Sequence, residues 1–284
     1  MKVVLFCGGY GMRMRDGVED VPKPMGMVGD RPLIWHVMRY YAHFGHTEFI
    51  LCMGYGARHI TRYFLDYEET RSNDFVLEAG TAVPLSTDIA EWKITFCNTG
   101  IETPIGERLR QVIPHLGSDE MFLANYADVL TDAPLDEIVA KFAASDATAS
   151  LLAVPPQSSF HVVQTDGDHV VTSIESVAEL PIRENGGYFV FRREVLERLE
   201  PGTDLVGNTL TALAAEGKVL GYPYDGFWLP ADTVKERVEL DRIAKVHPAP
   251  WEVWITPEDQ EGAPPKIAAP KSSDGPTVAV SAPR

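Results

Sequence analysis

The chain opens Met1-Lys2-Val3-Val4-Leu5-Phe6-Cys7-Gly8-Gly9-Tyr10-Gly11-Met12-Arg13. Residues 2–7 read as a buried strand that runs straight into three glycines within four positions, followed by a cation. Without Cβ atoms, successive backbone N–H groups can converge on an anion, and Arg13 would stand beside it. A basic structural turn fits the same letters. The pattern is neither G-x-G-x-x-G nor a Walker A loop, because no G-K-[ST] follows. Pro22-Lys23-Pro24-Met25 comes next, with a proline fixing the backbone on each side of the amine. That suits an ammonium aimed at phosphate, and also an ordinary loop lysine.

Outward from this stretch, apolar runs of strand length alternate with helix-period segments. Strands are expected at 2–7, 48–53, 92–97 and 121–125, and helices at 33–44, 57–65 and 107–113. Leu33, Val37, Met38 and Tyr41 would share one face of the first helix. Such alternation predicts an α/β fold with a doubly wound, mainly parallel, Rossmann-like sheet, whose ligands bind beyond the carboxyl ends of the strands. The second half is richer in strands, at 147–154, 160–165, 169–174 and 187–191, with a hairpin turn at 165–168. Helices are expected at 194–199, 205–215 and 233–246. From about residue 257 the chain is rich in Pro, Ser, Ala and charge without periodicity, the composition of a disordered tail.

The 284 residues carry 41 acidic against 25 basic side chains, a formal net charge of -16. That surface repels nucleic acid and anionic membrane, so neither is an expected partner; an anionic substrate would need locally concentrated cations. Cys7, Cys52 and Cys97 are widely spaced inside apolar runs, as buried reduced thiols of a cytoplasmic protein would be. No signal-peptide pattern or membrane-length apolar run occurs.

Together, G-G-x-G-x-R and P-K-P-M resemble the N-terminal signature of the sugar-1-phosphate nucleotidylyltransferases, and most of all the glucose-1-phosphate cytidylyltransferase branch. Residues 32–38 resemble that branch's first helix and 49–55 its second strand. Asn98-Thr99-Gly100 with Gly106-Glu107-Arg108-Leu109 resembles its nucleotide-contacting loop and helix. Asn185-Gly186-Gly187-Tyr188, residues 225–233 and Pro250-Trp251 match later segments, so the likeness spans roughly 1–254.

The resemblance implies a glycosyltransferase-A-like nucleotidyltransferase domain over 1–254. Residues 1–146 would bind nucleotide, 147–254 sugar phosphate, and 255–284 would form the tail. It implies nucleotidylyl transfer: a sugar 1-phosphate oxygen attacks the α-phosphorus of a nucleoside triphosphate, preferably CTP, and pyrophosphate leaves. Gly8, Gly9, Gly11, Arg13, Lys23, Thr103, Gly106 and Arg108 would then hold the nucleotide, with Arg13, Lys23 and Asp128 catalytic. Asp128 and Asp232 would bind Mg²⁺, while Tyr126, Arg183, Asn185, Gly186 and Gly187 would meet the phosphorylated sugar-like acceptor. Relatives often self-associate, so a homo-oligomer is also implied. UTP in place of CTP, or a catalytically silent nucleotide-binding paralogue, are the alternatives.

Three departures from the pattern stand out. Ala127 stands where the family has Gly before the metal Asp. Glu107 replaces a glycine in G-G-R-L and brings a carboxylate toward the expected nucleotide. Ser176 and Val177 fall where E-K-P would supply a glutamate for the sugar and a lysine for its phosphate, leaving Arg183 to substitute. Asp132 reads as a loop carboxylate.

Overall fold

The computed structural model describes residues 1–9, 14–16, 19–157 and 160–255. Its central sheet contains β1 (Val3–Phe6), β2 (Glu48–Met53), β3 (Lys93–Asn98), β4 (Met121–Asn125), β5 (Ala149–Val154), β6 (Glu184–Arg192) and β7 (Val219–Pro223). The spatial order is β3-β2-β1-β4-β6-β5-β7. Only β6 runs against its neighbours; the other pairings are parallel.

Strand alternation explains why both faces are covered. In β1, Val3 and Leu5 enter one apolar cluster, and Val4 and Phe6 the other. In β2, Phe49, Leu51 and Met53 join the first cluster, and Ile50 and Cys52 the second. Burying a side chain of this size contributes about 1.5–3 kcal/mol. The first face is covered by α1 (Leu33–His43), α2 (Ala57–Leu65), and other helices introduced below. On the second face, α3 (Ile105–Leu116) packs Leu109, Val112 and Leu116.

Several elements differ from expectation. Helix α4 (Leu135–Ala143) was not anticipated, although Leu135, Ile138 and Phe142 place its buried face at helical spacing. Helix α1 is buried nearly all round rather than on one face, because Trp251 and Trp254 pack against His36 and Trp35. The segment expected as a helix at 194–199 is a tight helical turn, Arg193–Arg198. Short ladders at Phe75–Glu78 with Thr81–Pro84, and Val129–Thr131 with Trp228–Pro230, were also missed. In the hairpin of His161–Thr165 with Val171–Ser176, Asp166 N donates to Val170 O, so the turn lies slightly later than expected. The last long helix is α5 (Val234–Ile243), capped reciprocally by Thr233 and Glu236. The expected tail, beyond Ile255, lies outside the described residues.

The carboxyl ends of β1 and β2 approach so closely that side chains are excluded between them. A Cβ on Gly54 would lie 2.6 Å from Gly100 O and 3.1 Å from Gly8 Cα. Gly54→Ala is therefore expected to lose about 1–3 kcal/mol of stability in urea denaturation, since backbone must shift to admit the methyl. An unchanged midpoint would mean that the strand ends separate freely.

Candidate active site

Gly8 and Gly9 follow β1 and line a cleft with Lys23, Tyr55, Tyr126 and Asp128. Gly11 and Arg13 lie outside the described residues. Beneath the turn is Arg108, only 1% exposed. A Cβ at Gly8 would sit 2.4 Å from Arg108 Nη1, so glycine lets the guanidinium pack under the loop. Arg108 donates to Thr99 Oγ1 at 2.6 Å, Met53 O at 3.3 Å and Ile101 O at 3.0 Å. None of these acceptors is a carboxylate. Burial pulls its pKa down, yet a guanidinium stays charged, leaving a desolvated positive charge behind the turn.

Lys23 begins a helical turn, Lys23–Met25, held by Met25 N donating to Pro22 O at 2.8 Å. The Pro22 ring lies against Gly56, which has φ +66° and would place a Cβ 2.6 Å from that ring. Both demands select glycine there and clamp the lysine turn to the start of α2. The Lys23 ammonium donates to Asp128 Oδ2 at 2.6 Å and also to Asp232 Oδ1. Burial lowers the Lys23 pKa, but the two carboxylates, Asp128 foremost, more than reverse this and raise it. Burial raises the Asp128 pKa, Lys23 opposes the rise, and Asp232 adds to it.

A two-stranded ladder brings the aspartates together. Val129 pairs with Pro230, and Ala231 N donates to Asp128 O at 2.9 Å, so Asp128 and Asp232 emerge at the same end. Asp232 N then donates to Glu236 Oε2 at 2.8 Å, fixing it to the start of α5. Neither short strand was legible beforehand, though Asp128 and Asp232 themselves were.

Asn185 Nδ2 donates to Tyr126 OH at 3.2 Å. Gly187 lies against the Tyr126 ring, and Gly186 O accepts from Trp228 Nε1 at 2.8 Å. Thr103 and Gly106 stand in the supporting wall: Thr103 Oγ1 donates to Thr99 O at 2.5 Å, and Gly106 packs on Thr203. One expectation needs correction. Glu107 is not free for a nucleotide, because it accepts from Arg110 at 2.7 Å and Gly202 N at 3.1 Å. Arg183 donates to Ala153 O, Tyr224 O and Asp225 Oδ1, bridging the end of β5 and the loop after β7. Asp132 is a structural acceptor for Tyr224 OH and Phe227 N. Tyr55, at the end of β2, lines the cleft and was missed; its place after a strand was the available signal.

A family profile for nucleotidyl transferases matches residues 2–233. The chain belongs to the nucleotidyl transferase family. Within it, the chain falls on the cytidylyltransferase branch. It is 34% identical to the probable glucose-1-phosphate cytidylyltransferase of Bacillus subtilis, over 89% of this chain and all of that protein. Identity to the glucose-1-phosphate cytidylyltransferase of Salmonella typhi is 29%, again over 89% of this chain and all of the relative. The solved UTP-bound UGPase of Acinetobacter baumannii shares the fold, with TM-score 0.63 and 18% identity, covering 87% of this chain and 95% of that one. Among the described residues, no helix is long and apolar enough to cross a membrane.

The Lys23 bridge sets a pH test. Lys23→Met leaves Asp128 facing Asp232 without a counter-ion, so its folded pKa rises further above the unfolded value. A carboxyl raised in the folded state loses stability as pH increases through that folded pKa. The variant should be about 2–3 kcal/mol less stable than the parent at neutral pH, with the gap narrowing on acidification. Urea denaturation between pH 5 and 8 measures this; a pH-independent gap would refute the electrostatic account.

Proposed function

We propose that this enzyme catalyses Mg²⁺-dependent transfer of a nucleotidyl group from CTP to a sugar 1-phosphate, releasing pyrophosphate and forming a CDP-sugar. The observation that carries the reading is the meeting of Lys23, Asp128 and Asp232 at the mouth of the Gly8–Gly9 turn. The buried Arg108 charge behind that turn supports a bed for phosphate. CTP as donor rests on the names of the relatives above.

Two carboxylates converging on one positive charge fit a hard divalent ion, which Mg²⁺ sites complete with phosphate oxygens and water. Asp128 and Asp232 would hold it, and when bound it would offset charge developing on the α-phosphoryl oxygens. Lys23, relieved of the carboxylates, would contact the reacting phosphates. Gly8 and Gly9 would let the triphosphate approach the backbone, and Tyr126 and Asn185 would orient the sugar. The catalytic contribution is positioning and charge neutralisation.

The acceptor half is less complete. Ser176 closes an exposed hairpin and Val177 N donates to Phe160 O, so no lysine stands at that point. Losing one charge-assisted bond costs about 1.5–3 kcal/mol, or roughly ten- to hundredfold in affinity. Glucose 1-phosphate should therefore be a weak acceptor, with another sugar 1-phosphate preferred.

Pyrophosphate release over four nucleoside triphosphates and a panel of sugar 1-phosphates tests the whole reading. CTP should give the highest kcat/KM, and EDTA should abolish turnover. Asp128→Asn, Asp232→Asn and Lys23→Ala should each lower kcat by about a hundredfold or more. Full activity in EDTA would exclude the metal. Nucleotide binding without turnover on any acceptor would favour the silent paralogue.

A further inference from the structure

Strand β4 reads Met121-Phe122-Leu123-Ala124-Asn125 and lies between β1 and β6, in the middle of the sheet. Its last residue breaks the apolar run. Asn125 is fully buried, opposite Leu5 on one side and Tyr188 on the other. An aliphatic residue suits such a position better, because a buried amide needs partners for both its oxygen and its nitrogen. Asn125 meets that need at one end. Its Oδ1 accepts from Ala127 N at 2.6 Å, whereas buried Nδ2 finds no hydrogen bond of ordinary length among the described residues. A buried donor left unmade costs at least as much as one made bond contributes, so stability does not account for the asparagine. Breaks of this kind in an otherwise consistent strand are expected where function demands them.

The Oδ1 bond acts on the residues that turn the chain into the cleft. Tyr126 N still donates to Gly187 O of β6, at 3.2 Å. The next residue, Ala127, has φ +60°, which an L-residue resists. After it, the Asp128 carboxylate reaches Lys23 Nζ at 2.6 Å. A side-chain oxygen bonded to the N–H two residues on closes a small ring around Tyr126 and holds Ala127 in the left-handed region. Asn125 and Ala127 therefore work as a unit, the amide offsetting the strain that alanine brings.

We propose that Asn125 is a positioning residue for the reaction: through its bond to Ala127 N it holds the left-handed turn that aims the Asp128 carboxylate at Lys23 and the cleft. The assignment rests on the reading of Asp128 as a carboxylate of the reacting centre. Without the bond, Ala127 leaves the left-handed region for part of the time, and Asp128 turns away with it.

Asn125→Val removes the amide and keeps a strand-forming side chain, so the fold should persist; Asn125→Ala takes its place if that protein does not fold. Urea midpoints of the parent, Lys23→Met, Asn125→Val and the double variant form a cycle that needs no substrate. Lys23→Met should lower the midpoint by about half as much in the Asn125→Val background, because a carboxylate no longer aimed at the lysine loses less when that cation is removed. Equal drops in both backgrounds would overturn the proposal. In pyrophosphate release from CTP with the best sugar 1-phosphate, Asn125→Val should lower kcat about tenfold without a matching fall in urea midpoint. Adding Ala127→Gly should recover at least about threefold of that loss, since glycine enters the left-handed region without help. An unchanged kcat, or no recovery with glycine, would refute the positioning role. If the parent turns over no acceptor, the proposed reaction falls, while the urea cycle still decides the role of Asn125.

Discussion

The bridge from Lys23 to Asp128 and Asp232 joins three parts of the chain that the sheet alone would leave independent. One is the loop after β1, another the turn after β4, and the third the entry to α5. Each is fixed separately, by prolines, by a two-stranded ladder and by a capping box. The charges therefore meet without large further ordering of the backbone that carries them. The Lys23 and Asp128 side chains are 14% and 20% exposed, so the pair is far less screened than a surface ion pair. Removing Lys23 leaves two carboxylates facing each other without a counter-ion, whereas removing either aspartate leaves one matched ion pair.

The same region shows how the two halves of the site differ in construction. The Gly8–Gly9 side rests on the parallel part of the sheet, where three strand ends converge and a buried guanidinium supports the turn. The Tyr126–Asn185 side rests on β6, and the chain between β5 and β6 forms an exposed two-stranded hairpin bearing Val163, Val171 and Ile174 at the surface. An isolated hairpin is marginally stable at best, so it supplies a weaker frame for a charged contact. Arg183 illustrates the consequence: its donors are committed to holding loops in place.

Much of the fold was legible because period and hydrophobicity agreed. β2, β4 and α2 match the expected bounds, and β1 is one residue shorter at each end. Such strands are buried on both faces and read as continuous apolar runs. Legibility failed where pairing was short or exposed. Val129–Thr131 and Trp228–Pro230 are three residues each, too brief for a period to register, yet their ladder brings the two aspartates together. The aspartates were identifiable through resemblance, whereas their convergence depended on pairing between distant segments. Glu107 was misread because sequence shows a charge and not the partners, Arg110 and Gly202 N, that have already taken it.

Ala127 carries the remaining argument. It has φ +60°, a conformation that costs an L-residue roughly 1–2 kcal/mol, and it is fully buried beside Asp128. Glycine would avoid that strain but forfeit the methyl, whose burial contributes about 0.8 kcal/mol. Asn125 Oδ1 accepts from Ala127 N at 2.6 Å, holding the turn in this conformation for about another 0.5–1.5 kcal/mol. The opposing contributions are of similar size, so alanine is tolerated at little net cost. What the turn achieves is direction: β4 ends, the chain reverses through a left-handed residue, and Asp128 projects toward Lys23 rather than continuing along the strand. Strain held at the residue before a charged group in a cleft is a recurring feature of functional sites. Here it is balanced locally by one side-chain bond and one methyl, which lets the departure from glycine coexist with an intact Lys23–Asp128–Asp232 cluster.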